Sequence, residues 1–363
     1  MKRLTVQLSD VENNIIQIKS KADTAHVIAV LKADAYGLGA VFMAKQLLLN
    51  GISFFAVACI EEAAELREAG IDCEILLLTS SANEKDAEDI VKYNLTATIG
   101  TVDAGAVLNA VCERMQTKVN AHIEIDTGFG RSGFLYSEAD KITGTFDFYT
   151  NVNITGVYTH LSCAFGKKKY TYEQYERFYK VRELILQHKE FNGIFHIANS
   201  TALFRFNEIK IDAVRVGSAI TGRTGLSAKK TGLKPIGMLE ADIKEIKWLP
   251  KGHNAGYGNA VKLKTAKRIA IVTLGYGDGV CLEKERGLFR VIDKLRYVYN
   301  DVKLGRKRAF HGILNEKKVY IIGRAGLSSM ILDVTEIECH QGDVVSFAVS
   351  PMFVDKAVER KYV

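Results

Sequence analysis

Apolar and polar positions follow two different rhythms along this chain. From residue 9 to residue 230, short apolar runs alternate with longer stretches of helical period. The runs are His26–Leu31, Phe54–Ala58, Ile75–Leu78, Ala97–Ile99, Val119–Ile125, Ile154–Thr159, Ile194–Ile197 and Ala213–Val216. All are strand candidates, and the continuous apolar run Val27–Leu31 within the first reads as a buried strand. Helical patterns lie between them, as at Glu61–Ala69, Asp103–Met115 and Tyr172–Lys189. Ser9-Asp10-Val11-Glu12 has the form of a capping box opening a first helix. Strand–helix alternation implies parallel strands with right-handed crossovers, and eight such units imply a (β/α)8 TIM barrel. The competing architecture is an open doubly wound sheet, but no G-x-G-x-x-G follows the first strand.

The second rhythm begins after residue 230. Met238–Trp248, Arg268–Leu274, Lys318–Ile322, Met330–Thr335 and Val344–Val349 are strand-like and are separated by Gly, Pro and Asn turns. The expected fold class is therefore α/β, a TIM barrel followed by a mostly β C-terminal domain. The barrel spans residues 9–230 and the β domain residues 231–363. Alternation at Leu4–Leu8 makes residues 1–8 a candidate extra strand of the second domain.

Length and composition fit this division. The 363 residues suit a barrel of about 250 residues plus a second domain. The 49 basic and 42 acidic side chains give a formal net charge of +7, with the two signs interspersed. There is no arginine-rich arm and no basic–aromatic alternation, so small anionic ligands fit the excess better than nucleic acid. The six cysteines, Cys59, Cys73, Cys112, Cys163, Cys281 and Cys339, form no C-x-x-C pair. They read as reduced, mostly buried thiols of a cytoplasmic protein. No His/Cys cluster has metal-ligand spacing. The N-terminus turns polar too quickly for a signal peptide, and no apolar stretch is long enough to span a membrane.

A barrel collects its chemistry at the carboxyl ends of its strands. The first strand delivers Lys32 and then Tyr36; the fifth delivers Glu124, Asp126 and, past Thr127-Gly128-Phe129-Gly130, Arg131. The sixth delivers His160, the seventh Asn199 and Ser200, and the eighth Arg215, Gly217 and Ser218. Each has an ordinary reading when taken alone. Lys32 is a solvated strand cap, Arg131 and Arg215 are loop charges, His160 is a satisfied core histidine, and Asn199-Ser200 is a helix N-cap. Their convergence on one mouth points elsewhere. A lysine desolvated at a strand end has a lowered pKa, and its neutral amine can condense with a carbonyl. Ser200 and the amides near Gly217 and Ser218 suit a phosphate at a helix start. An aldehyde cofactor carrying a phosphate meets both demands, which is the logic of pyridoxal 5'-phosphate.

At this point the motifs resemble those of the alanine racemases. The similar segments are Ala29-Val30-Leu31-Lys32-Ala33-Asp34-Ala35-Tyr36-Gly37, Asp126-Thr127-Gly128-Phe129-Gly130-Arg131, Gly156-Val157-Tyr158-Thr159-His160, Ala198-Asn199-Ser200 and Val214-Arg215-Val216-Gly217. Gly256-Tyr257-Gly258, Gly275-Tyr276-Gly277-Asp278-Gly279 and Gly323-Arg324 continue the order. The resemblance implies a two-base amino-acid racemase acting on L- and D-alanine. Lys32 would hold pyridoxal phosphate and act as base on the D-side, and Tyr257 as base on the L-side. Tyr257 would come from the partner subunit, which implies a head-to-tail homodimer. Arg215 would contact the pyridine nitrogen, with His160 between Arg215 and Tyr257. Tyr36, Ser200 and the amides near Gly217 and Ser218 would hold the phosphate, and Asn199 and His160 would also bind the cofactor. Arg131 would serve the substrate carboxylate side, and Tyr276 and Leu327 would line the substrate's path.

Three positions depart from the family pattern. Glu124 stands where a carbamylated lysine is common, and it would supply the charge that orients Arg131 directly. Leu327 and Ser328 replace a Met-Asp pair. Asp355 or Lys356 stands where a phosphate-contacting tyrosine is usual. These changes leave serine or a larger amino acid as alternative substrates. A fold-related decarboxylase of basic amino acids is a further alternative. It pairs the pyridine nitrogen with a carboxylate, which Arg215 argues against. A degenerate racemase kept as a binding module is the last.

Overall fold

The computed structural model describes residues 1–282, 291, 294, 295, 297–299, 302 and 310–363. The chain divides into two compact units, Ser9–Pro235 and Met1–Leu8 together with Ile236–Val363.

The first unit is an eight-stranded parallel barrel. In chain order its strands are His26–Val30, Phe54–Val57, Glu74–Leu77, Ala97–Ile99, Val119–Asp126, Val152–Thr159, Ile194–Asn199 and Ala213–Val216. Neighbouring strands run parallel, and the eighth returns to pair with the first through Ala213–His26 to Val216–Ala29. The third and fourth strands meet only through a parallel bridge, Leu76 to Thr96, backed by Leu77 N to Thr96 O and Thr96 N to Ile75 O, both 2.9 Å. That bridge closes the ring. Helices Ile60–Glu68, Val102–Arg114 and Lys168–His188 are among the crossovers. Thr101 caps the second of these by accepting from Ala104 N at 3.1 Å.

The first helix departs from its expected start. It runs Leu8–Ala22, so Ser9 lies inside its first turn and is not the cap. The reason is tertiary: Leu8 N donates to Val363 O at 2.8 Å, which fixes the helix entry from the far end of the chain.

The barrel interior has two characters. Ile28, Val30, Ala56, Leu76 and Ala213 form an apolar cluster across the first, second, third and eighth strands. In the fifth strand His122, Glu124 and Asp126 alternate with Ala121, Ile123 and Ile125, and all six are buried. Side chains two apart share a strand face, so the three polar groups point the same way. Register places Gly156 opposite His122, Tyr158 opposite Glu124, and His196 opposite Tyr158.

The second unit is a mainly antiparallel sheet in the order Lys267–Val272, Met330–Asp333, Lys317–Ile321, His311–Leu314, Val344–Ala348, Met238–Leu249, Lys2–Val6 and Glu359–Tyr362. The long strand Met238–Leu249 pairs with Val344–Ala348 along its first half and with Lys267–Val272 along its second. The register shift between Ile243 and Glu245 lets one strand serve both partners and close the sheet on itself. Strand Lys2–Val6 is held to this unit by ladder bonds and by ion pairs from Met1 to Asp242, Lys2 to Asp278 and Arg3 to Glu240 at 2.6–2.7 Å.

The six cysteines are free, but only Cys112 and Cys339 are buried, so the expectation of mostly buried thiols fails for the other four. Among the described residues no helix is long and apolar enough to cross a membrane.

Candidate active site

The first barrel strand ends in an unusual turn. Ala33, Asp34, Ala35 and Tyr36 have φ of 53°, 55°, 51° and 58° with ψ of 50°, 51°, 46° and 35°. These values describe a left-handed turn built without glycine. Such a turn costs about 1–2 kcal/mol per residue, so the surroundings must hold it. Ala35 N donates to Leu31 O at 2.7 Å, Gly39 N to Asp34 O at 3.1 Å, and Ala40 N to Asp34 Oδ1 at 2.7 Å. Glu62 Oε1 accepts from Ala33 N at 2.6 Å.

Lys32 opens this turn and is half-buried. Burial, and then the nearby Arg131 charge, push its amine below the ordinary lysine value; Glu62 opposes them. More of the amine is then neutral and nucleophilic at neutral pH than in a solvated lysine. Tyr36 closes the turn. Burial first and Glu62 second push its phenol up to about 12, so it remains a hydrogen-bond donor.

Tyr36 meets the eighth strand's exit at Gly217. A β-carbon there would lie 2.4 Å from both Tyr36 Cε2 and its hydroxyl oxygen, so only glycine leaves room for the ring. Ser200 joins them: its Oγ accepts from Gly217 N at 3.1 Å and from Ala219 N at 3.2 Å. The structure thus brings Tyr36, Ser200 and Gly217 together, and the second amide is that of Ala219. The Ser218 carbonyl accepts from Thr221 Oγ1 and Arg223 N. Asn199 keeps its ordinary role as well, since its Oδ1 caps the helix Ser200–Arg205 through Ala202 N at 3.1 Å.

Arg215 is buried in the barrel lumen at 4% exposure. Its Nη1 donates to His196 Nδ1 at 2.7 Å and to His196 O at 3.0 Å, and its Nη2 donates to Thr159 O at 2.5 Å. Its guanidinium lies 4.8 Å from the Tyr158 ring centre. Burial pushes Arg215 down to about 10, which leaves it charged at neutral pH. His196 therefore accepts at Nδ1 and must carry its proton on Nε2. That proton faces His122 Nδ1 at 2.9 Å, so His122 carries its own on Nε2. Burial above all, and then Arg215, hold both histidines neutral: His122 falls to about 3, and His196 lies well below its ordinary value. Gly156 leaves space for this chain, because a β-carbon there would lie 2.5 Å from His122 Nε2.

His160 was expected between Arg215 and Tyr257; the hydrogen bond from Arg215 goes to His196, and His160 lies within reach of the Arg215 charge. His160 meets Phe129 edge-on at 5.4 Å. Burial, followed by Arg215, Arg131 and Lys32, lowers it to about 3. Arg131 stacks on the same Phe129 ring at 4.6 Å. Its loop is organised by Asp126, whose Oδ1 accepts from Gly128 N and Phe129 N at 2.8 and 2.9 Å and whose Oδ2 accepts from Gly130 N at 3.0 Å. The expected Glu124–Arg131 pairing is not closed. Glu124 is buried, its Oε2 has no hydrogen-bond partner, and Arg131 rests on the aromatic ring instead. Burial raises the Glu124 carboxyl, against the pull of Ser132, Arg131 and Arg215.

The second unit gathers its own group. Tyr276 N donates to Gly326 O and Gly277 N to Leu327 O, both at 3.0 Å. A β-carbon at Gly326 would lie 3.2 Å from the Tyr257 ring, and one at Gly277 would lie 2.8 Å from Leu327 Cδ1. Tyr257, Tyr276 and Leu327 therefore form one cluster, exposed in the chain by 73%, 48% and 61%. Asp278 braces it, accepting from Gly275 N at 2.9 Å while paired with Lys2.

Fold and site together define a class of two-unit enzymes in which an α/β barrel carries a desolvated lysine and a β unit carries exposed tyrosines. Comparison with known proteins narrows the class. The model of the alanine racemase N-terminal domain matches residues 6–225, and that of the C-terminal domain matches residues 236–357. The chain is 32% identical over 341 residues to the alanine racemase of Carboxydothermus hydrogenoformans, covering 92% of this chain and 85% of that one. It is 36% identical over 256 residues to the alanine racemase of Methylacidiphilum infernorum, covering 70% and 64%. The solved alanine racemase of Clostridium difficile 630 shares the fold, with a TM-score of 0.86 at 23% identity over 100% of this chain and 95% of that one. The chain belongs to the alanine racemase family.

Proposed function

We propose that this enzyme interconverts L- and D-alanine with pyridoxal phosphate held at the barrel mouth. The observation that carries the reading is the convergence of Lys32 with Tyr36, Ser200 and Gly217 in a chain of this family. The residues present fit the cofactor. Lys32 offers a partly desolvated amine to an aldehyde. The Ser200 hydroxyl proton and the protonated Tyr36 hydroxyl are neutral donors suited to a phosphate, beside the Gly217 and Ala219 amides that Ser200 Oγ accepts from. Arg215 offers a buried cation to a ring nitrogen.

When bound, pyridoxal phosphate supplies an electron-withdrawing ring that acidifies the α-carbon of the attached amino acid. The chain's residues do the rest. Lys32 Nζ holds the cofactor and takes or returns the α-proton on one face. Tyr257 Oη, contributed by a second copy in a head-to-tail homodimer, does so on the other. Two bases invert the centre without turning the substrate over. Arg215 stays charged and donates a hydrogen bond without surrendering its proton, so it withdraws less charge than an acid that transfers one. The neutral histidine chain behind it fixes its direction. Arg131 serves the substrate carboxylate, and Tyr276 and Leu327 line the approach. Cytoplasmic residence fits the free thiols.

The test is α-proton exchange. Single L-amino acids are added to the loaded enzyme in heavy water and the α-proton signal is followed by NMR. Exchange with alanine, and slower exchange with serine, is the expected result; no exchange with any amino acid overturns the reading. Faster exchange with serine would assign the preference to Leu327, Ser328 and the Asp355–Lys356 turn.

Two substitutions probe the site. Gly217→Ala places a methyl group into the Tyr36 ring, and cofactor affinity is expected to fall about tenfold or more, the effect of losing one or two hydrogen bonds. Equilibrium titration of cofactor absorbance measures it. Glu124→Gln is expected to lower kcat/KM about tenfold, because it removes a buried negative charge that acts on Arg131 through space. Added bicarbonate should not restore it, since no lysine is present there to be carbamylated. Unchanged kcat/KM would make Glu124 a buried strand-face group with no part in the reaction.

A further inference from the structure

Glu62 stands at the third position of helix Ile60–Glu68, where an acid ordinarily closes a capping box. One oxygen acts in that spirit: Oε2 accepts from Ala58 N at 2.8 Å, just before the helix. The other does not. Oε1 reaches the preceding βα connection and accepts from Ala33 N at 2.6 Å, the amide next to Lys32. One carboxylate thus joins the exits of the first and second barrel strands. It does so at the first residue of the left-handed turn, where Ala33 has φ of 53°. Asp34 secures the far end of that turn through Ala40 N.

The turn sets the direction of two side chains. Lys32 enters it and Tyr36 leaves it, so any relaxation of the four intervening residues toward ordinary backbone angles reorients one relative to the other. We propose that Glu62 is a positioning residue for Lys32 and Tyr36, clamping the left-handed turn against the next helix so that the cofactor lysine and the phosphate-side tyrosine address one ligand. The proposal rests on the cofactor reading above. The clamp needs length, two acceptors and charge. Aspartate is one methylene too short to span both amides. Glutamine presents an N–H group to one of two N–H donors. The charge also acts on Lys32, where it opposes burial and Arg131. Among the described residues, Arg131 and Glu62 act on that amine, and the neutral His160 feels its charge.

Cofactor-free wild type, Glu62→Gln and Glu62→Asp are reductively methylated with ¹³C-formaldehyde, and the Lys32 signal, identified by its absence from Lys32→Arg, is titrated by NMR. In Glu62→Gln the Lys32 midpoint should move to lower pH, because a negative neighbour is lost. Hydrogen exchange of the Ala33 amide should accelerate in both variants, and pyridoxal phosphate titration should show about tenfold weaker loading. Far-ultraviolet circular dichroism should stay unchanged. An unmoved Lys32 midpoint with wild-type loading in both variants overturns the proposal and leaves Glu62 a helix cap. The Lys32 and Ala33 readouts come from the cofactor-free chain. They therefore stand apart from the cofactor reading, which fails separately if wild type takes up no cofactor.

Discussion

Lys32→Ala should eliminate racemisation, with turnover falling by at least about a thousandfold, because under the proposed function one substitution removes both the covalent attachment and one of two proton-transfer groups. The neighbouring side chains should not take over that role. Lys32 leaves the first barrel strand half-buried, and burial together with Arg131 lowers its amine. Arg215, even pushed down to about 10, holds its proton too firmly to act as a base at neutral pH. His160, Phe129's edge-on neighbour, carries a pKa of about 3 and is a poor base. The measurement is borohydride fixing followed by peptide mass spectrometry, alongside turnover. Wild type should carry reduced cofactor on the peptide containing Lys32, and Lys32→Ala should carry none. Cofactor fixed at another lysine with activity retained would reassign the site.

The barrel was legible because strands buried on both faces are short unbroken apolar runs. Val27–Leu31 and Phe54–Ala58 carry that signal, and Lys32, just past the first of them, marks the mouth. The left-handed turn was not legible. Ala-Asp-Ala-Tyr has no glycine where φ is positive, so local preference predicts the opposite hand. Its form depends on Glu62, twenty-nine positions along the chain from Ala33, and in sequence Glu62 is an ordinary acid in a helix's first turn. The His122–His196 chain was hidden for a related reason. Each histidine reads as a core residue, and only strand register brings them within 2.9 Å. One trace was available: His122, Glu124 and Asp126 repeat at a spacing of two inside a strand otherwise suited to an apolar lumen. Glu124 acts on Arg131 by charge without a closed ion pair, and the Phe129 ring, closer in the chain, stacks on the guanidinium.

Tyr257→Phe should lower racemisation about a hundredfold to ten-thousandfold, the range for losing a positioned general base. It should do so unequally in exchange experiments. If Lys32 serves the D-face, α-proton exchange of D-alanine with heavy water persists in this variant, while exchange of L-alanine collapses. A structural defect would depress both alike. The contribution in trans has its own signature. In a heterodimer of Lys32→Ala and Tyr257→Phe chains, one composite site receives both substitutions and the other receives neither. Equal mixing and random reassociation make half of the dimers heterodimers with one intact site, which restores about a quarter of wild-type activity from two inactive proteins. Action in cis predicts the opposite, since each chain would then spoil its own site and no mixture would recover. The exposure of Tyr257 in the isolated chain, at 73%, suits a ring that completes its surroundings on a second copy. Dilution follows the same logic: turnover should vanish as dimers dissociate while cofactor stays attached through Lys32. A chain shown to be monomeric and still racemising would place both bases within a single copy.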